Sequence, residues 1–556
     1  MAGHVFIMHG DLTRVSCDAW LMPCGIEGRA SAHWREVIEA ELGPTVWPTL
    51  PEGWSWDGVR CARLWAEPRY DRHGERMPTP WLANVGGGRR TTIAWFVQGV
   101  REFMAAVAAS PEVQAPRHDR VKPLVALPIV GTGDGGARSR GGAVVRALLP
   151  CLYESARVYD LDVALVIKHH PDYAAAQRER LRYHERGVHR WPELDQAARA
   201  QADALAARAS SGQLVLFVGS GVSVGAGLPT WGEFLRQLSR DPEQRLALDW
   251  DDLGRWSYGD QARIIERGFG GREVMGQAIA RHLDRAHYSL THGFLAALPC
   301  EEVVTTNYDR LFELASAAID RPAAALPYEN ASGSGRWILK MHGCITRPED
   351  IVVTREDFLR YASRRNALAG IVQALLITRH MLFVGFSLDD DNFHRIADDV
   401  RRTVRLTPEH AHEPFGTSLV LVDRPYLAEL WRGEIELITL RPLEPERAMR
   451  AQSLEAARQL EIFLDYLLAQ VTDPSYLLDD RFESLLDEDE QALRELLLEL
   501  VTRATPEMRR TPAWLRVEAL LQLLGYHPDP RAAWLEDLAQ FLVMARAGRP
   551  ASDEEA

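Results

Sequence analysis

"GSGVSVGAGLPTW" occupies Gly219–Trp231. It follows "QLVLFV", an apolar run of strand type, and precedes "GEFLRQL", which has helical spacing. A glycine-rich turn between strand and helix gathers backbone N–H groups at one point, and that suits a phosphate. No Gly-Lys-Ser or Gly-Lys-Thr follows, so the lysine of a P-loop ATPase is missing. Gly219, Gly221 and Gly225 come near the spacing of a dinucleotide fingerprint. A dehydrogenase needs a ribose-binding acid ~20 residues further on, at the end of a second strand. The candidate, Asp241, falls instead in a helical stretch. The turn alone therefore leaves open whether the phosphate's owner is oxidised, read or broken.

The strand ends downstream narrow the choice. "VVTTNYDRLFE" places Asn307 and Asp309 at the end of one strand, "LKMHGCI" places His342 and Gly343 at another, and "LFVGFSLDDDN" places Gly385, Ser387 and Asp391 at a third. In a wound α/β sheet the carboxyl ends of the strands converge on one crevice. Taken singly, Asn307 reads as a turn or helix cap, His342 as a satisfied structural histidine, and Asp389 and Asp390 as a solvated helix start. His282, His287 and His292 recur every five residues, a spacing that does not share one helical face, so no metal site is read there.

In order, these blocks resemble the sirtuin-like superfamily: Gly219-Ser220-Gly221-Val222-Ser223, Gly227-Leu228-Pro229-Thr230-Trp231, Thr306-Asn307-Tyr308-Asp309, His342-Gly343 and Gly385-Phe386-Ser387. The resemblance covers residues 212–440. The four-cysteine zinc module of the protein deacetylases is absent, with only Cys344 nearby. Thr230 and Gly232 stand where those enzymes carry Asp and Arg. "TTNYDRLFE" and "VGFSLDDDN" are instead similar to bacterial sirtuin-like NADases of antiphage defence, including the Thoeris type. The resemblance implies hydrolysis of NAD at the nicotinamide–ribose bond, with NAD as substrate and no metal. It places Asn307 near the ribose to orient water and His342 as base. It places Gly219, Ser220, Gly221 and Ser223 at the pyrophosphate, Asp309 and Trp231 at the nicotinamide end, and Gly385 and Ser387 on the adenosine side. Nicotinamide is a good leaving group, so holding the substrate, excluding bulk water and positioning one water suffice. The alternative is an NAD-dependent protein ADP-ribosyltransferase or deacylase.

Residues 1–175 read as a separate α/β block, with strands in "HVFIMHGDL", "DAWLMPCG", "PLVALPIVGTG" and "DLDVALVIKHH". Gly10-Asp11-Leu12-Thr13, Asp18-Ala19 and the loop Gly131-Thr132-Gly133-Asp134-Gly135-Gly136 resemble a macro domain. That likeness implies Asp11 at an adenine amino group and the glycine loop at a diphosphate, hence an ADP-ribose or cyclic ADP-ribose-type ligand. "MPCG" at Met22–Gly25 departs from the Asn-Ala-Ala-Asn of that family, so ADP-ribosyl hydrolysis is not expected.

The fold class expected is α/β: a macro-like domain at 1–175, a helical connector at 176–211, a Rossmann-like sirtuin domain with a parallel sheet at 212–441, and an all-helical domain at 442–556. The chain has 556 residues and a net charge of −14, which disfavours broad binding of a nucleic-acid backbone. Six unpaired cysteines without a CxxC motif fit a reducing cytoplasm. No signal peptide or membrane span is read. The amphipathic C-terminal helices, with Trp514 and Trp534, suit packing, homo-oligomer formation or a phage or defence-system protein trigger.

Overall fold

The computed structural model describes residues 2–30, 32–42, 50–56, 58–85, 92–132, 137–185, 187–188, 191–404 and 414–527. Two sheets dominate. The first has β1 (Val5–His9), β2 (Ala19–Cys24), β3 (Cys61–Arg63), β4 (Thr79–Asn84), β5 (Leu124–Leu127) and β6 (Asp162–Ile167), in the order β1-β6-β5-β2-β4-β3. All its pairs are parallel except β3 against β4. The second has β7 (Leu214–Val218), β8 (Glu302–Thr305), β9 (Ala324–Leu326), β10 (Trp337–Lys340), β11 (His380–Val384), β12 (Gly416–Val422) and β13 (Ile435–Arg441). Its order is β13-β12-β11-β7-β8-β10-β9 and every pair is parallel.

The central strands are continuous apolar runs because helices cover both faces. All five residues of β7 and all five of β11 are buried. β3, β4 and β9 escaped the sequence reading. The first and last are only three residues long, and "TPWLAN" of β4 carries a proline. From β7 the chain proceeds to β8 on one side and later returns to β11 on the other. That reversal opens a crevice at the carboxyl ends, and the glycine turn sits on it.

The stretch 176–211 is more than a connector. The helix His170–Glu185 buries Ala176, Gln177, Glu179 and Arg180, although its arginines give it little apolar character. Arg180 donates to both carboxylate oxygens of Asp465 at 2.8 and 2.9 Å. Trp191 Nε1 and the Ile7 amide donate to the same carboxylate at 2.8 and 3.2 Å, and His4 Nε2 lies 3.2 Å away. Asp465 belongs to the helix Met449–Val471, which packs against Gln196–Ser210 and against both sheets. One core accordingly holds Phe6 and Met8 of β1, Leu216 of β7, Phe294, Phe463 and Leu467.

A boundary expected at residue 442 thus falls elsewhere: the compact units divide after Thr472. The second unit, as described to residue 527, contains the helices Glu488–Arg503 and Pro512–Leu523 around Leu477, Leu478, Val501 and Leu521. Trp514 is buried there, and Trp534 lies outside the described residues.

A second join ties the two sheets. Tyr288, fully buried ahead of the helix Leu290–Ala297, forms a parallel bridge with Val15. Its amide donates to Arg14 O and its carbonyl accepts from the Ser16 amide, both at 2.8 Å. Its hydroxyl accepts from the Asp11 amide at 2.9 Å.

Candidate functional site

The loop after β7 is built on close backbone approach. A Cβ on Gly219 would lie 2.6 Å from Phe386 Cα, and one on Gly221 would lie 2.9 Å from Gly385 O. Gly385 has φ +65°, and a Cβ there would reach the Val222 nitrogen at 2.5 Å. Glycine is therefore required at all three positions, and the β7 and β11 loops lie directly against one another. The Gly219 amide donates to Val384 O and the Gly221 amide to Gly385 O, both at 2.9 Å. The Val222 amide donates to Gly219 O at 3.2 Å. Residues Ser220–Ala226 form a 3-10 helix, and the α-helix Trp231–Leu238 begins only after the left-handed Gly227. Two amides of this loop, those of Gly221 and Val222, are thus used inside the protein. Ser220 and Gly221 are the exposed residues of the loop.

Ser223 is buried and serves a different purpose from the one expected. Its hydroxyl donates to Asp309 Oδ2 at 2.9 Å, accepts from Asn307 Nδ2 at 3.3 Å, and lies 3.4 Å from His292 Nε2. Asp309 Oδ1 accepts from the Leu311 amide at 3.0 Å, capping the next helix. Each of its carboxylate oxygens thus has a partner inside the protein.

Asn307 is set by its own strand end. Thr305 Oγ1 donates to Val218 O at 2.8 Å and accepts from the Asn307 amide at 3.0 Å. The Asn307 side chain then donates to Gly219 O at 3.1 Å. Its Oδ1 is buried and has no hydrogen-bond partner among the described residues. An unmatched buried acceptor costs free energy, so its retention points to a ligand or water that completes it.

His342 stands at the same level one strand away. Lys340 pairs in register with Thr305, and His342 and Asn307 each lie two residues beyond. His342 Nε2 is 3.6 Å from Asp390 Oδ2 and 3.4 Å from Asn392 Nδ2. Phe358 and Tyr361 meet its ring edge-on. Burial pushes its pKa below the ordinary imidazole value despite the opposing charge of Asp390. It is neutral at pH 7 and able to accept a proton.

Asp390 and Asn392 were missed as site neighbours. Asp390 Oδ1 accepts from the Phe393 amide at 3.0 Å, so the residue is both the cap read from sequence and a partner of His342. His292 was considered only as a metal ligand. No metal-binding group occurs among the described residues. Trp231 is half-buried, its ring 5.9 Å from that of Tyr308 and 5.8 Å from Phe234. Gly385 adjoins Gly219, and Ser387 is exposed beyond Phe386. Asp241 pairs with His282 at 2.8 Å and is not on a strand end, where a dehydrogenase's ribose acid would stand. A cavity of about 580 Å³ is lined by Arg72, His73, Arg281, Arg310 and Thr346 among others. Neither Asn307 nor His342 lines it.

In the first sheet, β1 and β5 flank β6, so the loops after them reach the same edge. Asp11 Oδ1 accepts from the amide and hydroxyl of Thr13 at 3.0 and 2.8 Å. Its Oδ2 is 3.8 Å from Lys168 Nζ. Gly131 has φ +81° and packs on Phe96, and Thr132 follows it. Gly133, Asp134, Gly135 and Gly136 lie outside the described residues.

Comparison with known proteins finds relatives over about a third of the chain. The NAD(+) hydrolase ThsA of Enterococcus faecium is 31% identical over 201 residues, 35% of this chain and 41% of that protein. Defense-associated sirtuin 2 of Bacillus subtilis is 26% identical over 220 residues, 37% of this chain and 20% of that protein. The NAD(+) hydrolase ThsA of Bacillus cereus is 26% identical over 192 residues, 34% of this chain and 39% of that protein. The chain thus spans between 20% and 41% of the length of these relatives. Residues 301–432, which carry Asn307, His342, Gly385 and Ser387, match the SIR2-like domain.

Proposed function

We propose that this protein is an NAD hydrolase. It cleaves the nicotinamide–ribose bond to give nicotinamide and ADP-ribose, and acts in the cytoplasm as an antiphage effector that depletes NAD. The observation that carries the reading is the Asn307 carboxamide. Gly219 O and Ser223 fix its NH₂ group, while its Oδ1 remains an unused acceptor next to the strand bearing neutral His342. Such an acceptor orients a water or a ribose hydroxyl beside C1′, and His342 takes the proton released as water adds. Ser220 and Gly221, exposed in the glycine loop, meet the pyrophosphate, with Gly385 and Ser387 toward the adenosine. Trp231 shields the nicotinamide end. Names of the relatives, NAD(+) hydrolase among them, support the same chemistry.

The N-terminal sheet is read as a macro-like sensor for an ADP-ribose or cyclic ADP-ribose-type ligand, held between Asp11 and the loop 131–136. Supporting this, Asp11 and Gly131 follow β1 and β5, whose carboxyl ends lie at the same end of the sheet. Leu493, Leu496 and Leu500 are exposed on one helix and suit self-association or a protein trigger.

The test is chromatographic. Purified protein is incubated with NAD, with and without ADP-ribose-type nucleotides, and nicotinamide release is followed. Asn307→Ala is expected to lower release ~10²–10³-fold, the scale of losing one polar group that acts on the transition state. Acceleration by nucleotide supports the sensor. Equal release from both proteins would overturn the assignment.

A further inference from the structure

We propose that His292 is a positioning residue for Asn307, acting through Ser223; this rests on the NAD-hydrolysis reading of the crevice.

The argument starts at the helix Leu290–Ala297, which is capped by Ser289. The Ser289 amide lies 3.4 Å from His292 Nδ1, and the Ser289 hydroxyl oxygen is 2.8 Å from it. An amide N–H can only donate, so Nδ1 is the acceptor of that ring and the imidazole proton resides on Nε2. Burial keeps the ring neutral, holding its pKa down to about 4, with Lys340 lowering it further and Asp309 opposing. Nε2–H therefore points at Ser223 Oγ, 3.4 Å away.

Ser223 has one proton to give and two lone pairs to fill. The proton goes to Asp309 Oδ2 at 2.9 Å. The lone pairs take His292 Nε2–H and Asn307 Nδ2–H, the latter at 3.3 Å. The hydroxyl is thereby held as an acceptor toward Asn307. Together with Gly219 O at 3.1 Å, it admits one orientation of the carboxamide, with NH₂ inward and Oδ1 left for the reacting water. A serine free to turn its proton toward Asn307 would withdraw this acceptor, leaving Gly219 O alone to hold the amide. His292 touches none of the groups assigned to substrate. Its role is to keep Ser223 from turning.

Two conservative substitutions separate this from a purely structural role. Gln carries a donor at the reach of Nε2 but lacks Nδ1. Asn carries an acceptor at the place of Nδ1 but does not reach Ser223. We expect His292→Asn to lower kcat ~10-fold, the equivalent of about one hydrogen bond, with KM nearly unchanged. His292→Gln should stay within ~3-fold of the parent. A role confined to capping the helix predicts the reverse order and overturns the proposal. In a Ser223→Ala background the His292→Asn effect should vanish; full additivity there also overturns it. A crystal structure of His292→Asn supplies a readout without turnover. The Asn307 amide should have left Gly219 O, and an unmoved amide counts against the proposal. Absence of NAD cleavage by the parent protein would sink the functional reading, while this geometric outcome would still decide the role of His292.

Discussion

Asp465 and Ser223 each sit at the centre of a buried polar cluster, and the two clusters differ in what they leave open. Around Asp465, the Arg180 guanidinium, Trp191 Nε1, the Ile7 amide and His4 all converge, so both carboxylate oxygens are occupied. Around Ser223 the hydroxyl is equally saturated, yet the cluster ends at Asn307 Oδ1, which is bonded to nothing among the described residues. The first arrangement spends its whole carboxylate on joining elements, although Arg180 Nε and Glu193 Oε2 at its margin stay unmatched among the described residues. The second braces a single unused atom against the crevice. An unmatched buried atom costs free energy in either cluster; Asn307 Oδ1 differs in lying at a strand end on the crevice.

The comparison breaks if the two clusters respond alike to mutation. Asn307→Ala should remove two to three orders of magnitude of kcat/KM and leave the thermal midpoint nearly unchanged. Asp465→Ala should do the opposite. It strands Arg180 in the interior and costs about 3–5 kcal/mol of stability, while kcat/KM per folded molecule is retained; urea denaturation with an activity assay on the same samples checks both.

Acid and alkali sharpen the contrast. Burial opposes a charge on His4, but its hydrogen bonds to Asp465 and Glu193 outweigh that and raise its pKa to about 9. Unfolded, it titrates near ~6.5. Its contribution is complete below ~6.5 and is lost as pH rises through about 9. His292 runs the other way. With its folded pKa lowered to about 4, its contribution is present above ~6.5 and is lost as pH falls through about 4. Urea midpoints across this range should fall at both ends, with His4→Gln abolishing only the alkaline loss. A smaller effect concerns catalysis. His342 is held below the ordinary imidazole value, so kcat/KM should stay level down through ~6.5 and decline only at more acid pH. A decline already complete at neutral pH would remove His342 as the base.

The crevice was largely legible in the sequence because its requirements are local. Close approach of the β7 and β11 loops demands Gly219, Gly221 and Gly385, and a strand followed at once by Asn307 or His342 announces itself. What a legible residue does was harder to read. Ser223 and Asp309 look like ligand contacts in the motif but spend their hydrogen bonds inside the protein. The stretch 176–211 was opaque for a related reason. A buried Arg180 looks like any surface arginine until its partner, 285 positions away, is known. His292 likewise shows its purpose only when Ser223 arrives from 69 positions upstream.

Tyr288 carries one more consequence. Its backbone bridges Val15, its hydroxyl accepts from the Asp11 amide, and the next residue, Ser289, is the cap that holds His292. A fragment beginning at Gly212 would inherit that tyrosine stripped of its partners, and the core around Phe294 would lose Phe6, Met8 and the other residues that the first sheet contributes. The two sheets are therefore not interchangeable cassettes. Heating should find no seam between them, and the body that ends at Thr472 should melt as a single cooperative event.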